Sequence, residues 1–203
     1  MLTLYHSTQS RSVRPRWLLE EIGAPYELVR VNLAAQENKR PEYLRINPNG
    51  TVPALVDGDL ALFESAAICQ YLADRFPERR LAPPVGTPAR GLYYQWNHYA
   101  MAALEPPIVT LFLHTIGLPE AERNAKLVAE AHARLAPALD VIEHALAGRE
   151  CILGNDFTAA DVMVGSTLGW ARAFGMMDDV RPNIAAYVAR LSARPAFQRA
   201  GAD

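Results

Sequence analysis

Hydrophobic and polar positions alternate between strand-like and helix-like spacing in the first part of the chain and settle into helical spacing in the rest. Leu2–Tyr5 is a short apolar run that reads as a strand. Ser12–Ile22 reads as a helix with Trp17, Leu18 and Leu19 at core positions, stopped by Gly23-Ala24-Pro25. Tyr26–Val31 is rich in β-formers and reads as a second strand. The polar stretch Asn32–Asn49 is irregular, with one short helix near Pro41–Leu44. Val52–Val56 and Leu60–Phe63 flank Asp57-Gly58-Asp59, which signals a hairpin. Ser65–Arg75 follows as a helix that ends before Pro77.

A β-α-β segment places its two strands parallel with a right-handed crossover, and the hairpin then adds antiparallel neighbours. The expectation is a four-stranded mixed sheet with helices on its faces over residues 1–80, the layout of a thioredoxin-like domain. Residues 81–88, Leu81-Ala82-Pro83-Pro84-Val85-Gly86-Thr87-Pro88, form a Pro-rich connector that continues neither helix nor sheet. No strand signal follows. Ala89–Leu113 and Glu120–Leu146 read as long helices, with kinks expected at Pro106-Pro107 and Pro137, and Thr158–Phe174 and Ile184–Leu191 as shorter ones. Residues 89–203 are expected to form an all-helical domain with its own core.

Composition narrows the function classes. Among 203 residues, 50% are hydrophobic and 21% charged, as in ordinary globular proteins, which excludes disordered and collagen-like chains. A formal net charge of −2 gives no general attraction to a phosphate backbone, so no nucleic-acid partner is expected. No apolar run approaches about 20 residues, and the start Met1-Leu2-Thr3-Leu4-Tyr5 has no basic segment before an apolar one, so neither a membrane span nor a signal peptide is expected. Cys69 and Cys151 form no CxxC and read as structural thiols of a cytosolic protein. His6, His98, His114, His132 and His144 have no metal-binding spacing, so no metal is expected.

Four local motifs carry chemistry or folding information. In His6-Ser7-Thr8-Gln9-Ser10-Arg11-Ser12, both Ser10 and Ser12 suit a helix N-cap, and Pro15 fits the first turn. A hydroxyl there lies at the positive end of the helix dipole. In Asn47-Pro48-Asn49-Gly50-Thr51-Val52-Pro53-Ala54-Leu55, Pro53 cannot donate to a sheet, and a cis Val52–Pro53 bond turns the N–H and C=O of Val52 outward. In Phe63-Glu64-Ser65, Ser65 reads as the N-cap of a helix fed by a strand. That junction can hold a carboxylate, with Glu64 beside it to accept from an ammonium group. Thr158-Ala159-Ala160-Asp161 is a capping box that serves folding.

Taken in order, these pieces resemble the glutathione transferase superfamily over nearly the whole chain. They are Ser10-Arg11-Ser12 with Trp17-Leu18-Leu19-Glu20-Glu21, the Asn47–Leu55 motif, Glu64-Ser65-Ala66-Ala67-Ile68 with Tyr71-Leu72, and Phe157-Thr158-Ala159-Ala160-Asp161. The resemblance is to serine-type rather than cysteine-type members of the cytosolic, bacterial kind, since the first loop carries no cysteine. It implies glutathione as co-substrate, held by Val52 before Pro53 and by Glu64 and Ser65 at the γ-glutamyl end. Ser10 faces the sulfur, Ser12 is the second candidate, and Arg11 adds positive potential. The helical domain then lines a site for a small hydrophobic electrophile. Two stripes on its first helix, Tyr94, His98, Met101 and Glu105 on one face and Trp96 and Tyr99 on another, can contribute to that site, to the core or to a dimer face. The resemblance also implies a cytoplasmic homodimer active in detoxification. Glutathione-dependent peroxidase, disulfide reductase or isomerase activity is the alternative within enzymes, and a non-catalytic binding or scaffold protein the alternative outside them.

Overall fold

β1 (Leu2–His6) sends Leu2, Leu4 and His6 to a buried face and turns Thr3 and Tyr5 to the other, the period of two that a half-buried strand requires. In the computed structural model, which describes residues 1–177 and 180–202, the chain forms two compact units. The first is Met1–Ala82 together with the residues from Ala193 onward, and the second is Pro83–Ser192.

In the first unit, β1 pairs in parallel with β2 (Tyr26–Arg30) and antiparallel with β3 (Ala54–Asp57), which pairs antiparallel with β4 (Leu60–Phe63). The sheet order is β2-β1-β3-β4. The hairpin turn is Gly58-Asp59, because Asp57 and Leu60 are already a strand pair. α1 (Val13–Ile22) and α3 (Ser65–Arg75) pack together, and Leu4, Trp17, Leu18, Leu19, Ile22, Leu55, Ile68 and Leu72 form the core they share with the sheet. Tyr5, on the other face, meets Tyr43 of the short helix α2 (Pro41–Leu44) edge to face, with ring centroids 5.6 Å apart. Val31, Ala54, Ile46 and Val52 complete that second cluster.

The end of the chain departs from the sequence expectation. The sequence places residues 89–203 in one helical domain, but α9 (Pro195–Gly201) packs on α1 in the first unit. Phe197 stacks edge-on against Trp17 at 4.9 Å, Arg194 makes a two-armed pair with Glu21, and Arg199 pairs with Glu20. Seven residues between a proline and the chain end are too few for periodicity to reveal a helix.

In the second unit, α4 (Pro88–Tyr99) continues through a π-helical turn (Ala100–Leu104) into α5 (Glu105–Phe112) and a second π-helical turn (Leu113–Gly117). The chain absorbs Pro106 and Pro107 just after the first of these turns. The Glu105 N–H reaches five residues back to Ala100 O, so the register shifts where two prolines supply no N–H. The joined run Pro88–Gly117 is long and apolar enough, by length and composition alone, to cross a membrane. Polar residues interrupt it, so it holds no continuous apolar run of about 20 residues. A core helix passes the same test, and this one packs against α6 (Ala125–Ala145) and α7 (Ala159–Ala173).

The expected helix from Glu120 to Leu146 is divided. Glu120–Glu122 is a single turn, and α6 starts after Asn124, whose side chain accepts from the N–H groups of Lys126 and Leu127. Pro137 lies inside α6. The Thr158–Asp161 capping box is formed at the start of α7, and Gly165 on α7 leaves room for Leu191 of α8 (Pro182–Ser192).

Candidate active site

Strand register gathers the three motif loops. Tyr5 lies opposite Ala54, and Ala54 opposite Phe63. The end of β1, the start of β3 and the end of β4 therefore share one end of the sheet. The loops that continue from them are residues 7–12, 49–53 and 64–65.

The loop before β3 is held by donors from the polar stretch that the sequence pattern left irregular. Asn38 Nδ2 and Lys39 Nζ donate to Gly50 O at 2.7 and 3.0 Å. Tyr43 Oη and Asn47 Nδ2 donate to Thr51 O at 2.6 and 2.7 Å. Gly50 has a φ of +57°, and a Cβ there would meet Asn38 O at 2.8 Å, so the turn requires glycine. With the carbonyls of Gly50 and Thr51 occupied, the chain enters the cis Val52–Pro53 bond. The N–H and C=O of Val52 make no backbone hydrogen bond among the described residues. They form a strand-like edge open to an extended peptide.

At the third loop the structure corrects the cap. Glu64, with a φ of +73°, occupies the N-cap position of α3, and Ser65 is the first helical residue. The first N–H to reach back within the helix is that of Ile68, to Glu64 O at 3.0 Å. The N–H groups of Ser65, Ala66 and Ala67 thus end the helix unbonded, as an anion site requires. The Ser65 side chain is buried, and its Oγ accepts from Arg14 Nη1 at 3.2 Å. That leaves the Ser65 proton free to be donated outward. Glu64 is exposed beside it.

The first loop is a closed hydrogen-bonded knot. Ser10 Oγ lies 2.7 Å from Ser7 O and 2.6 Å from Ser12 Oγ, and accepts from the Ser12 N–H at 3.2 Å. Ser12 is buried and directly precedes α1, but its side chain makes no cap bond to the helix. Its Oγ accepts instead from the Ser7 N–H at 3.1 Å and lies 2.8 Å from His6 Nδ1. Ser10 is half-buried and Arg11 exposed. Of the two serines, only Ser10 can turn a hydroxyl outward.

Two residues at this end escaped the sequence reading. Arg14 is buried and joins α1 to Ser65 across 51 positions of sequence. His6 is wholly buried at the end of β1 and bonded to Ser12. Neither carries a local signal, since an arginine on a helix is normally solvated and a histidine ending a strand is ordinary core. Neither cysteine belongs to this end. Cys69 is buried in α3, where burial pushes its thiol up to about 12, and Cys151 is buried in the helical unit. Among the described residues, no group of three or more His, Cys, Asp and Glu side chains could hold a metal ion.

A sheet end with an open backbone edge, a helix N-terminus and a hydroxyl offers partners to an extended peptide and to an anion. Residues 1–74 match the family model for the N-terminal domain of glutathione S-transferases, and residues 125–190 the model for the C-terminal domain. The chain is 33% identical to glutathione S-transferase 3 of Zea mays over 198 residues, covering 92% of this chain and 86% of that one. It is 32% identical to glutathione S-transferase GstA of Escherichia coli O157:H7 over 202 residues, covering 98% and 96%. The solved theta class glutathione S-transferase of Xanthomonas axonopodis pv. citri, with glutathione bound, superposes with a TM-score of 0.85 at 32% identity, covering 100% and 97%. This chain belongs to the glutathione S-transferase family. It is an enzyme of that family, built as a thioredoxin-like domain joined to a helical one.

Proposed function

We propose that the chain binds glutathione along the open end of its four-stranded sheet and conjugates the thiolate to small apolar electrophiles. The observation that carries this reading is the unbonded backbone edge of Val52 at the same sheet end as the N-terminus of α3 and the Ser10 loop. In this reading Val52 pairs with the backbone of the glutathione cysteine, next to Pro53. The N–H groups opening α3 and the Ser65 hydroxyl hold the γ-glutamyl carboxylate, and Glu64 accepts from its ammonium. Ser10 donates to the sulfur, with the exposed Arg11 adding positive potential. Glutathione-bound relatives support glutathione as the substrate.

The energetics are adequate. A free thiol with a pKa of about 8.5 is only a few per cent thiolate at pH 7. Lowering it by about two units takes ~2.7 kcal/mol. One hydroxyl donating to an anion contributes ~1.5–3 kcal/mol and a helix N-terminus ~0.3–1 kcal/mol. A more acidic thiol is also a weaker nucleophile, with a Brønsted slope of about 0.4–0.5, so the remaining acceleration comes from holding the electrophile beside it. The thiol proton passes to water. The sulfur then forms its bond to the electrophilic carbon as the leaving group departs with the electron pair.

Calorimetric titration with glutathione, followed by turnover on a panel of electrophiles and peroxides, tests the whole reading. Conjugation should dominate the panel; peroxide reduction alone would replace it with the peroxidase reading. Ser65→Ala should weaken glutathione binding about ten- to a hundredfold, the loss of one charge-assisted bond. An unchanged dissociation constant removes Ser65 from the site. Cys69→Ala combined with Cys151→Ala should leave conjugation standing, since Cys69 is buried with its thiol pushed up to about 12. Glutathione found disulfide-linked to either cysteine during turnover would contradict this. The chain is further proposed to work as a cytoplasmic homodimer in detoxification, on family likeness alone.

A further inference from the structure

We infer that His6, held by Arg16, fixes the direction of the hydrogen bonds behind Ser10 and so makes Ser10 a donor that cannot accept from its ligand. The inference rests on Ser10 being the residue that faces the sulfur.

Donor and acceptor capacity settles where each proton lies. Arg16 is buried, and its Nη1 lies 3.2 Å from His6 Nε2. A guanidinium has only donors, so Nε2 accepts and the imidazole carries its proton on Nδ1. Nδ1 then donates to Ser12 Oγ at 2.8 Å. Ser12 Oγ also accepts from the Ser7 N–H at 3.1 Å, which fills both of its lone pairs. It can therefore accept nothing from Ser10. Two hydroxyl oxygens 2.6 Å apart need a proton between them, so the Ser12 proton, which also has Ser7 O within reach at 3.0 Å, goes to the nearer Ser10. Ser10 Oγ in turn accepts from the Ser12 hydroxyl and, at 3.2 Å, from the Ser12 N–H. Its own lone pairs are filled, and its single proton points to Ser7 O at 2.7 Å.

The consequence is directional. When a thiolate arrives, Ser10 has one proton to turn toward it and no capacity to take a proton from a thiol. Each bond in the series polarises the next, from Arg16 through His6 and Ser12 to Ser10. Arg16 is itself anchored by donation from Nη2 to Ala202 O at 2.7 Å and to Arg199 O at 3.4 Å, so the C-terminal turn of α9 stands behind the series. His6 and Arg16 are positioning residues. Both are buried behind the loop and act only through Ser12.

Removing the imidazole opens a lone pair on Ser12, to which Ser10 can then donate inward, in competition with the ligand. The test is the ultraviolet absorbance of bound glutathione thiolate against pH, with the glutathione dissociation constant measured alongside. His6→Leu should raise the pH of ionisation by about 0.4 to 1 unit, the equivalent of one neutral hydrogen bond. Its affinity for glutathione should change by less than about twofold. His6→Asn, whose amide N–H takes the place of Nδ1–H, should keep the wild-type ionisation, and His6→Gln should not. In the unmutated protein, imidazole nitrogen chemical shifts should report His6 protonated on Nδ1 and bare on Nε2, a readout that survives even where His6→Leu does not fold. A proton on Nε2 overturns the inference. So does His6→Asn shifting the ionisation as far as His6→Leu, or a folded His6→Leu that shifts nothing while Ser10→Ala does. If Ser10→Ala leaves the ionisation unmoved, the assignment of Ser10 to the sulfur fails instead.

Discussion

Replacing Asp161 by alanine is expected to destabilise the protein by about 3–5 kcal/mol, because its carboxylate closes a buried knot that no neighbour can satisfy in its place. Asp161 Oδ1 accepts from the Ile152 N–H at 2.7 Å and from Tyr187 Oη at 2.9 Å. Oδ2 accepts from the Thr158 N–H at 2.8 Å and from Thr158 Oγ1 at 3.1 Å. Asp161 and Tyr187 are wholly inaccessible, and Thr158 and Ile152 are buried with them. Truncation therefore takes the acceptor from two backbone N–H groups, a phenol and the Thr158 hydroxyl in a dry interior, at about 1–3 kcal/mol for each group left unsatisfied. In a chain of this size the loss corresponds to a fall of roughly 10 °C in melting temperature. Tyr187→Phe, which removes only one of the four donors, should cost about 1 kcal/mol. Thermal and urea unfolding of the two variants side by side checks the ratio. Equal small losses would mean that the capping box is dispensable.

Ser10→Ala is expected to raise the ionisation of bound glutathione by about one to two pH units, the equivalent of a hydroxyl bond to an anion worth ~1.5–3 kcal/mol. At neutral pH this lowers the thiolate fraction about ten- to a hundredfold, and kcat should fall with it. The dissociation constant should hold nearly steady, because in the proposed binding mode the γ-glutamyl end and the backbone pairing carry the affinity. Ser12→Ala tests the alternative. Ser12 is buried with its lone pairs filled by Ser7 and His6, so its loss acts only by loosening Ser10 and should shift the ionisation less. If Ser12→Ala moves the thiolate titration and Ser10→Ala does not, the two serines have been assigned in the wrong order.

Much of this molecule is legible in short stretches of sequence. The alternation of Leu2, Leu4 and His6 marks one face of β1, and Gly58 beside Asp57 marks a hairpin whose strands do pair across it. Thr158-Ala159-Ala160-Asp161 announces a capping box that forms as read. The loop Asn47–Val52 signals a turn before a proline, and Glu64-Ser65 a strand-to-helix junction, although the cap itself falls one residue earlier than the serine suggested. Such features depend on residues within a few positions of each other, where chain geometry leaves few choices.

The parts that complete the site come from distant positions and leave no local mark. Arg14 meets Ser65 only because α1 and α3 pack side by side on the sheet. The Ser10 loop rests on His6 and Arg16, and through Arg16 on carbonyls near the end of the chain, 183 and 186 positions away. Asn38 and Lys39 read as polar loop residues, and Tyr43 as part of a short helix, until their donors are seen on Gly50 and Thr51. The sequence by itself determined most of the order of elements and the motifs whose loops meet at one end of the sheet, because local propensity and side-chain period select these. Which serine is free to donate, where the last helix docks and what holds each loop were decided only by the tertiary structure. A buried hydrogen bond needs both partners in place, and only the packed fold brings them together.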